Sequence, residues 1–505
     1  MEWLTTFTVQ ALQFLTTTFV FMVGLVALLI VIIFVIDITQ THDAVRRNYP
    51  VIGRFRDIFS TLGEFFRQYF FAMDREEMPF NRAEREWVYK SARGHDNTHA
   101  FGSTKNLTPA GTAIFVSCPF PTLDEEATPT PPVLFGPYTK HPYETNAIIG
   151  ISGMSYGAIS RPAVRALSKG AKMAGIWMNT GEGGLSPFHL EGGCDIVFQI
   201  GTAKYGVRGP NGEMSDEKLK QVAAHGQVKM FELKMSQGAK PGKGGILPSV
   251  KVTEEIAQIR GIPALQDSIS PNRHPEVDSV GELLDMINRI RDVSGKPTGF
   301  KTVVGAYGWL EELCKEVHVR GLEHAPDFIT VDSGDGGTGA APMPLMDNVG
   351  LPVKEALPMV VDIFSKYGLR DRVKLIASGK LITPAEVAWA YCAGADMVVS
   401  ARGFMLALGC IQAMRCNQNT CPTGITTHDR RLQKGLDPEQ KSVRVKAYAE
   451  KLTYGVNIIA HSCGVPNPRR LKRYHCRIVQ DTGLSTPLDE LYPPQKVLSD
   501  YAKAA

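Results

Sequence analysis

Cys410, Cys416 and Cys421 fall within twelve consecutive positions of the run Gly409–Pro422. Thiolate sulfur is the soft ligand that iron–sulfur clusters take, and close spacing lets one loop supply several ligands. A trio suits a cluster with one open corner, or one completed by a distant ligand. The same residues also fit three buried thiols, or a zinc site completed by His428. Cys118, Cys194, Cys314, Cys392, Cys463 and Cys476 are isolated and read as small buried residues or free thiols. Nine cysteines that include such a trio argue for a reducing compartment rather than a disulfide framework. His274, His318, His324, His428 and His461 share no metal-ligand spacing and read as structural or exposed.

Glycine-rich loops form the second chemical signal. Gly153–Gly157, Asn179–Gly184 and Asp332–Gly339 each follow a short apolar run. Glycine lets backbone amides approach a flat or anionic ligand closely. Each loop alone reads as a turn, whereas three at the same end of successive strands describe one mouth. Ser378-Gly379-Lys380 and Ser400-Ala401-Arg402-Gly403 follow the last two runs, where barrels bind phosphate. Their amides, with Lys380 or Arg402, can hold a phosphate monoester; solvated surface charges are the alternative. One phosphate points to FMN rather than a dinucleotide, and no Gly-x-Gly-x-x-Gly joins a strand to a helix here. The loop Glu232–Gly245 carries Lys234, Gln237, Lys240 and Lys243. Cations so placed suit a carboxylate substrate, and Arg260 can add a bidentate clamp. A solvent-exposed basic loop is the bland account.

The elements that must position these groups read as repeated βα units. Strand candidates are 147–151, 176–179, 196–200, 229–233, 264–266, 299–304, 328–331, 373–377 and 397–400. Their parallel-type apolar character favours an α/β fold of the (β/α)8 TIM-barrel type, with a doubly wound open sheet as the alternative. Nine candidates compete for eight places, and 196–200 is expected to be the excursion or part of a side hairpin. Residues 101–145, rich in Pro, Thr and Gly, read as an irregular connector. The expected division is a membrane anchor over 1–43, a juxtamembrane and irregular segment over 44–145, the barrel with its cysteine loop over 146–430, and a C-terminal extension over 431–505.

The chain has 505 residues, 44% hydrophobic and 21% charged, which is an ordinary globular balance with room for two or three domains. A net charge of +4 is small for this length and gives no sign of a nucleic-acid surface. No charge occurs between Glu2 and Asp37, and 19–36 is almost wholly apolar, so one helix there can cross a bilayer. A cleaved signal peptide lacks support, because no basic n-region precedes the span. Arg46, Arg47, Arg54 and Arg56 follow it, which predicts a single pass of the cell inner membrane with the large C-terminal part in the cytoplasm. Residues 44–100 mix aromatic and charged positions, which fits a partly interfacial helix or an amphipathic helix packed on the main domain.

Residues 146–430 resemble the FMN-binding synthase domain of glutamate synthase. The matches are Gly153–Ser160, Asn179–Gly184, Lys234–Gly245, Gly334–Ala340 and the cysteine trio, whose spacing is that of the family's 3Fe-4S motif. With a membrane segment, and Met78–Arg82 before the barrel, the chain is similar to short bacterial relatives in that family. The resemblance implies FMN contacts from Met154, Ser155, Asn179, Gln199 and Lys234, and Gly336, Gly337, Gly379, Arg402 and Gly403 around its ring or phosphate. It also implies Cys410, Cys416 and Cys421 as ligands of a 3Fe-4S cluster. Lys234, Lys240 and Arg260 would face the carboxylates of 2-oxoglutarate, with Glu182 and Lys234 at the reacting centre. The implied reaction is reduction of 2-iminoglutarate, formed from 2-oxoglutarate and ammonia, to L-glutamate, with an external electron-transfer protein as partner.

Four departures accompany the resemblance. The resemblance does not extend to the family's N-terminal glutaminase domain, so ammonia is expected from elsewhere, such as a separate glutaminase subunit. Ile246 stands where the family has Gln, the loop 334–337 lacks a His before its Asp, and Ser378-Gly379-Lys380 replaces a longer phosphate loop. Two other functions fit the same residues: an amine or amino-acid dehydrogenase feeding a membrane acceptor, and a degenerate barrel acting as a scaffold subunit.

Overall fold

The computed structural model describes residues 2–40 and 43–501, which divide into two compact units at Arg82/Ala83. In the first unit, helix α1 (Glu2–Thr39) includes the stretch Thr5–Thr39, long and apolar enough to cross a membrane and with its most apolar part unburied. At 1.5 Å per residue it exceeds the ~30 Å hydrocarbon core. Helix α2 (Ala44–Asn48) starts at Asp43, whose carboxylate accepts from the amides of Val45 and Arg46. Helix α3 (Gly53–Phe66) continues into a π-helical turn, Arg67–Phe71.

The second unit is built on eight parallel strands that close into a barrel in sequence order. They are β1 (Ile149–Ile151), β2 (Met178–Asn179), β3 (Ile196–Ile200), β4 (Val228–Lys234), β5 (Thr298–Val303), β6 (Phe328–Asp332), β7 (Lys374–Ser378) and β8 (Met397–Ser400). Closure is made by β8 beside β1, with Val398 opposite Ile149 and Ser400 opposite Ile151. The expected excursion, 196–200, is instead β3, wholly buried and paired with both β2 and β4. The surplus candidate is 264–266. It follows Pro263, Leu265 takes φ +57°, and the chain turns there before Ser268–Ile269 pairs antiparallel with Ile246–Leu247. A left-handed residue after proline breaks a strand.

The stretch 101–145 contains more structure than an irregular connector. Val133–Phe135 and Tyr143–Thr145 form a hairpin that plugs the N-terminal end of the barrel. Phe135 there packs edge-on against Trp177 and Phe328, beside Met230 and Met397. Burial of Phe135 contributes about 2–3 kcal/mol. Ala113–Phe115 joins Cys476–Val479 and Ser485–Pro487 in a small antiparallel sheet.

Helices cover the outside of the barrel. Helix α4 (Arg161–Ala174) begins at Ser160, whose hydroxyl accepts from the Ala163 amide, and ends at Gly175 in the left-handed conformation. Helix α5 (Glu254–Arg260) has Thr253 as its N-cap and Gly261 as its C-cap, which delivers Arg260 in its last turn. Helix α6 (Arg402–Leu408) leaves directly from β8. Helix α7 (Pro438–Ser462) packs along α4, where Gly170 leaves room for Val445.

Candidate functional site

Period-two alternation aims Glu232 and Lys234 of β4, Lys301 of β5, and Thr330 and Asp332 of β6 into the barrel, where all are buried. Glu232 organises the floor of the mouth. Its Oε1 accepts from Asn179 Nδ2 at 2.8 Å and Gln199 Nε2 at 2.7 Å, and its Oε2 accepts from Thr330 Oγ1 at 2.6 Å. Both amides are thereby oriented. Asn179 Oδ1 takes the Gly181 amide at 2.9 Å, which shapes the second glycine loop. Lys301 pairs with Asp332 at 3.1 Å, and Asp332 also accepts the Gly238 amide. Burial opposes both charges, yet each sustains the other: Asp332 stays below, and Lys301 above, its usual range.

Above this floor, Lys234 Nζ meets Glu182 Oε1 at 2.9 Å and also donates to Gln237. Burial pushes the Glu182 carboxyl up, but Lys234, Lys240 and Arg260 outweigh it and hold the group ionised. Lys240 is buried and makes no ion pair among the described residues; desolvation, with the Lys234 charge, lowers it to about 8 against the pull of Glu182. Arg260 is also buried. It donates to Ser268 Oγ at 3.1 Å and lies 4.9 Å over the Tyr205 ring, while its Nε finds no partner. Glu182, Lys240, Arg260 and Ile246 line one cavity together with Met154 and Ser155. Lys234, Gln199 and Gly379 line the adjoining cavity, and Gly337 and Arg402 border both.

The two phosphate candidates separate. Lys380 is committed to Asp335 at 2.8 Å, whereas Arg402 binds only the Thr338 carbonyl and has no carboxylate partner among the described residues. Gly336 and Gly403 lie outside the two cavities. Gly336 closes a turn onto the Ser333 carbonyl, and a Cβ on Gly403 would meet the Tyr448 hydroxyl at 2.2 Å. Gly337 has a clearer use: a Cβ there would stand 2.7 Å from Arg402 Nε. These glycine-backed surfaces, with one unpaired guanidinium and the fixed amides, fit a flat phosphorylated group such as FMN.

Cys416 lines the same cavity as Glu182, Lys240 and Arg260. Cys410 Sγ accepts from the Gln412 amide, and Cys421 Sγ lies 3.3 Å from Thr423 Oγ1. Burial raises the Cys421 thiol, but hydrogen bonds from Thr423 and Thr426 leave it below the usual thiol range. Lys251 Nζ threads this loop, donating to the carbonyls of Ala158, Cys416 and Thr426. The three thiols are of the donor type that iron–sulfur clusters take. However, no group of three His, Cys, Asp or Glu among the described residues is gathered to hold a metal ion. His428 directs Nε2 to the Gly157 carbonyl at 2.8 Å.

Several site residues escaped sequence reasoning. Glu232 and Lys301 had a signal, since each is a charge inside an apolar strand with the parity of the inward face. Tyr205 and Lys251 had none, because only the folded hairpin and cysteine loop bring them to the cavity. His274 is buried, with Nε2 on the Lys234 carbonyl at 3.0 Å and Nδ1 without a partner; desolvation lowers it to about 4.

Residues 129–466 match the family described as the conserved region in glutamate synthase. The glutamate synthase large subunit-like protein YerD of Bacillus subtilis is 40% identical, over 93% of this chain and 97% of its own length. An archaeal glutamate synthase (NADPH) of Methanocaldococcus jannaschii is 33% identical, over 64% of this chain and 60% of its own. Among solved structures, the flavin-binding domain of baker's yeast flavocytochrome b2 is similar with a TM-score of 0.44 and 12% identity, covering 81% of this chain and 83% of that one. The family match spans the barrel, all its mouth loops and the cysteine run, and the chain belongs to the glutamate synthase family.

Proposed function

We propose that this chain is a flavin-dependent oxidoreductase that reduces 2-iminoglutarate, formed from 2-oxoglutarate and ammonia, to L-glutamate. The observation that carries this reading is the charge of the cavity. Lys240 and Arg260 are buried there without carboxylate partners, beside a Lys234–Glu182 pair that is already internally balanced. Two uncompensated buried cations are costly alone and are relieved by a dianion. A five-carbon dicarboxylate satisfies that demand.

Gln199, Lys234, Gly337, Gly379 and Arg402 would hold FMN, with Met154, Ser155 and Asn179 shaping the wall beside it. When bound, FMN supplies the hydride. Lys240 and Arg260 bind and orient the substrate carboxylates, which fixes which face of its carbon is presented. Glu182, ionised beside that position, is a counter-charge for the protonated imine, and Lys234 keeps the carboxylate aimed. Cys410, Cys416 and Cys421 would ligate a 3Fe-4S cluster, which supplies single-electron exchange with an external protein. The catalytic unit would lie on the cytoplasmic side of the inner membrane, held by α1, with ammonia arriving free or from a separate glutaminase subunit.

One observation favours a second reading. Ile246 lines the cavity where the family's Gln is expected, removing a polar contact that would specify the substrate. An amine or amino-acid dehydrogenase that passes electrons to a membrane acceptor tolerates that change. The test is to reduce FMN-loaded protein anaerobically with dithionite and then add 2-oxoglutarate with ammonium. Return of the flavin absorbance with one glutamate per two electrons supports the first reading. No return, together with amine-dependent quinone reduction, would replace it with the second.

A further inference from the structure

From the first unit we infer a second membrane contact: α3 and the π-turn after it form an amphipathic element seated in the headgroup layer of an anionic bilayer, beside the span of α1.

The sequence of α3 carries the pattern. Phe55, Ile58, Phe59, Leu62 and Phe66 occupy positions i, i+3, i+4, i+7 and i+11. At ~100° per residue they fall within one stripe about 100° wide. Every one of them is exposed, as are Tyr69, Phe70 and Phe71 in the turn that follows. Ser60 and Thr61 lie on the opposite face. Arg56 flanks the apolar stripe on one side, where a long side chain reaches headgroups while its stem stays against apolar surface, and Arg54 borders the other side with its guanidinium held by Asp37. Arg47 and Arg67 add positive charge nearby, while Arg46 is paired with Asp43.

Depth is set by Asp37. It ends the charge-free run of α1 and is fully buried by its partners: Arg54 donates to it from Nη2 at 2.7 Å and from Nε at 3.0 Å, and the Val51 amide donates at 2.9 Å. The first turn of α3 is therefore pinned level with the end of the apolar span. α3 is not packed extensively along α1, and Phe55, Ile58, Phe59 and Leu62 stay exposed. Continuity with the span, an apolar stripe of interfacial width and flanking arginines all select a lipid surface with anionic headgroups as the occupant.

The test uses the full chain in vesicles of phosphatidylethanolamine and phosphatidylglycerol, with a photoreactive benzoylphenylalanine at one position per sample. Val26 reports the span, Phe59 the apolar stripe and Ser60 the polar face. The expected result is phospholipid adducts at Val26 and Phe59, with a several-fold lower yield at Ser60. Replacing both lipids by phosphatidylcholine should lower the Phe59 yield and leave Val26 unchanged. Crosslinks from Phe59 to the barrel or to a second copy, or equal lipid yields at Phe59 and Ser60, would overturn the inference. Equal Phe59 yields in the two vesicle types would remove its anionic component.

Discussion

Glu232 touches neither cavity, yet it dictates what the cavities present. A carboxylate that accepts from Asn179, Gln199 and Thr330 forces both amides to turn their NH2 groups inward. Glu232→Gln can keep both amides on its Oε1 and donate its Nε2 to the Thr330 hydroxyl, so the bonds persist but lose the charge that strengthens them, at a cost of about 1–2 kcal/mol. The expected result is FMN binding weakened by roughly tenfold or more, read by flavin fluorescence. Lys240 gives a pH prediction. Its lowered value of about 8 means it is charged below that pH and neutral above it. KM for 2-oxoglutarate should therefore rise as pH increases through about 8, and Lys240→Arg should remove the rise, because guanidinium stays charged. Lys240 and Arg260 were legible as cations from their types, and the structure buries both in one cavity, whereas the cysteine spacing meets no gathered set of three ligands among the described residues. Which of Lys380 and Arg402 lacks a carboxylate was not legible: Asp335, on the loop after β6, neutralises Lys380 on the loop after β7, and only the fold places them together.

At the scale of elements, periodicity located the barrel strands but could not tell a short buried strand from an apolar turn. Segment 196–200 pairs on both sides, whereas 264–266 is broken by Pro263 and the left-handed Leu265, a distinction that depends on neighbours remote in sequence. The hairpin 133–145 hid in a Pro- and Thr-rich stretch because only a few of its residues, such as Phe135 and Tyr143, meet the core. Helix packing offers a sharper test. α4 and α7 approach closely at Gly170, where even a Cβ would lie 2.5 Å from Val445. Gly170→Val should push the helices apart at a cost of about 1–3 kcal/mol, or more where the backbone cannot shift. A lowered thermal midpoint with unchanged flavin affinity per folded molecule would confirm that this glycine serves packing. Loss of flavin at an unchanged midpoint would contradict it.

For the whole molecule, the charge-free N-terminal run and the later βα repeats announced two solvents for one chain. The structure divides at Arg82/Ala83 into two compact units, and the closed barrel, its plug hairpin and the α4–α7 pair all belong to the second. Among the described residues, no strand of that barrel and no lining residue of the two cavities comes from the first 82 positions. The long apolar surface, by contrast, is concentrated in the first unit, on α1 and the exposed stripe of α3. Hydrophobic surface on that scale requires lipid or detergent, whereas scattered exposed apolar residues do not. A chain beginning at Ala83 should accordingly remain in the supernatant after ultracentrifugation without detergent and retain FMN, while the full chain sediments with membranes. Because the proposed substrate cations lie in the barrel, the KM for 2-oxoglutarate should be unchanged in the shortened chain. Any function that depends on an electron-exchange partner held at the membrane should be lost. If the shortened chain aggregates or releases its flavin, the first unit is part of the catalytic body rather than its tether.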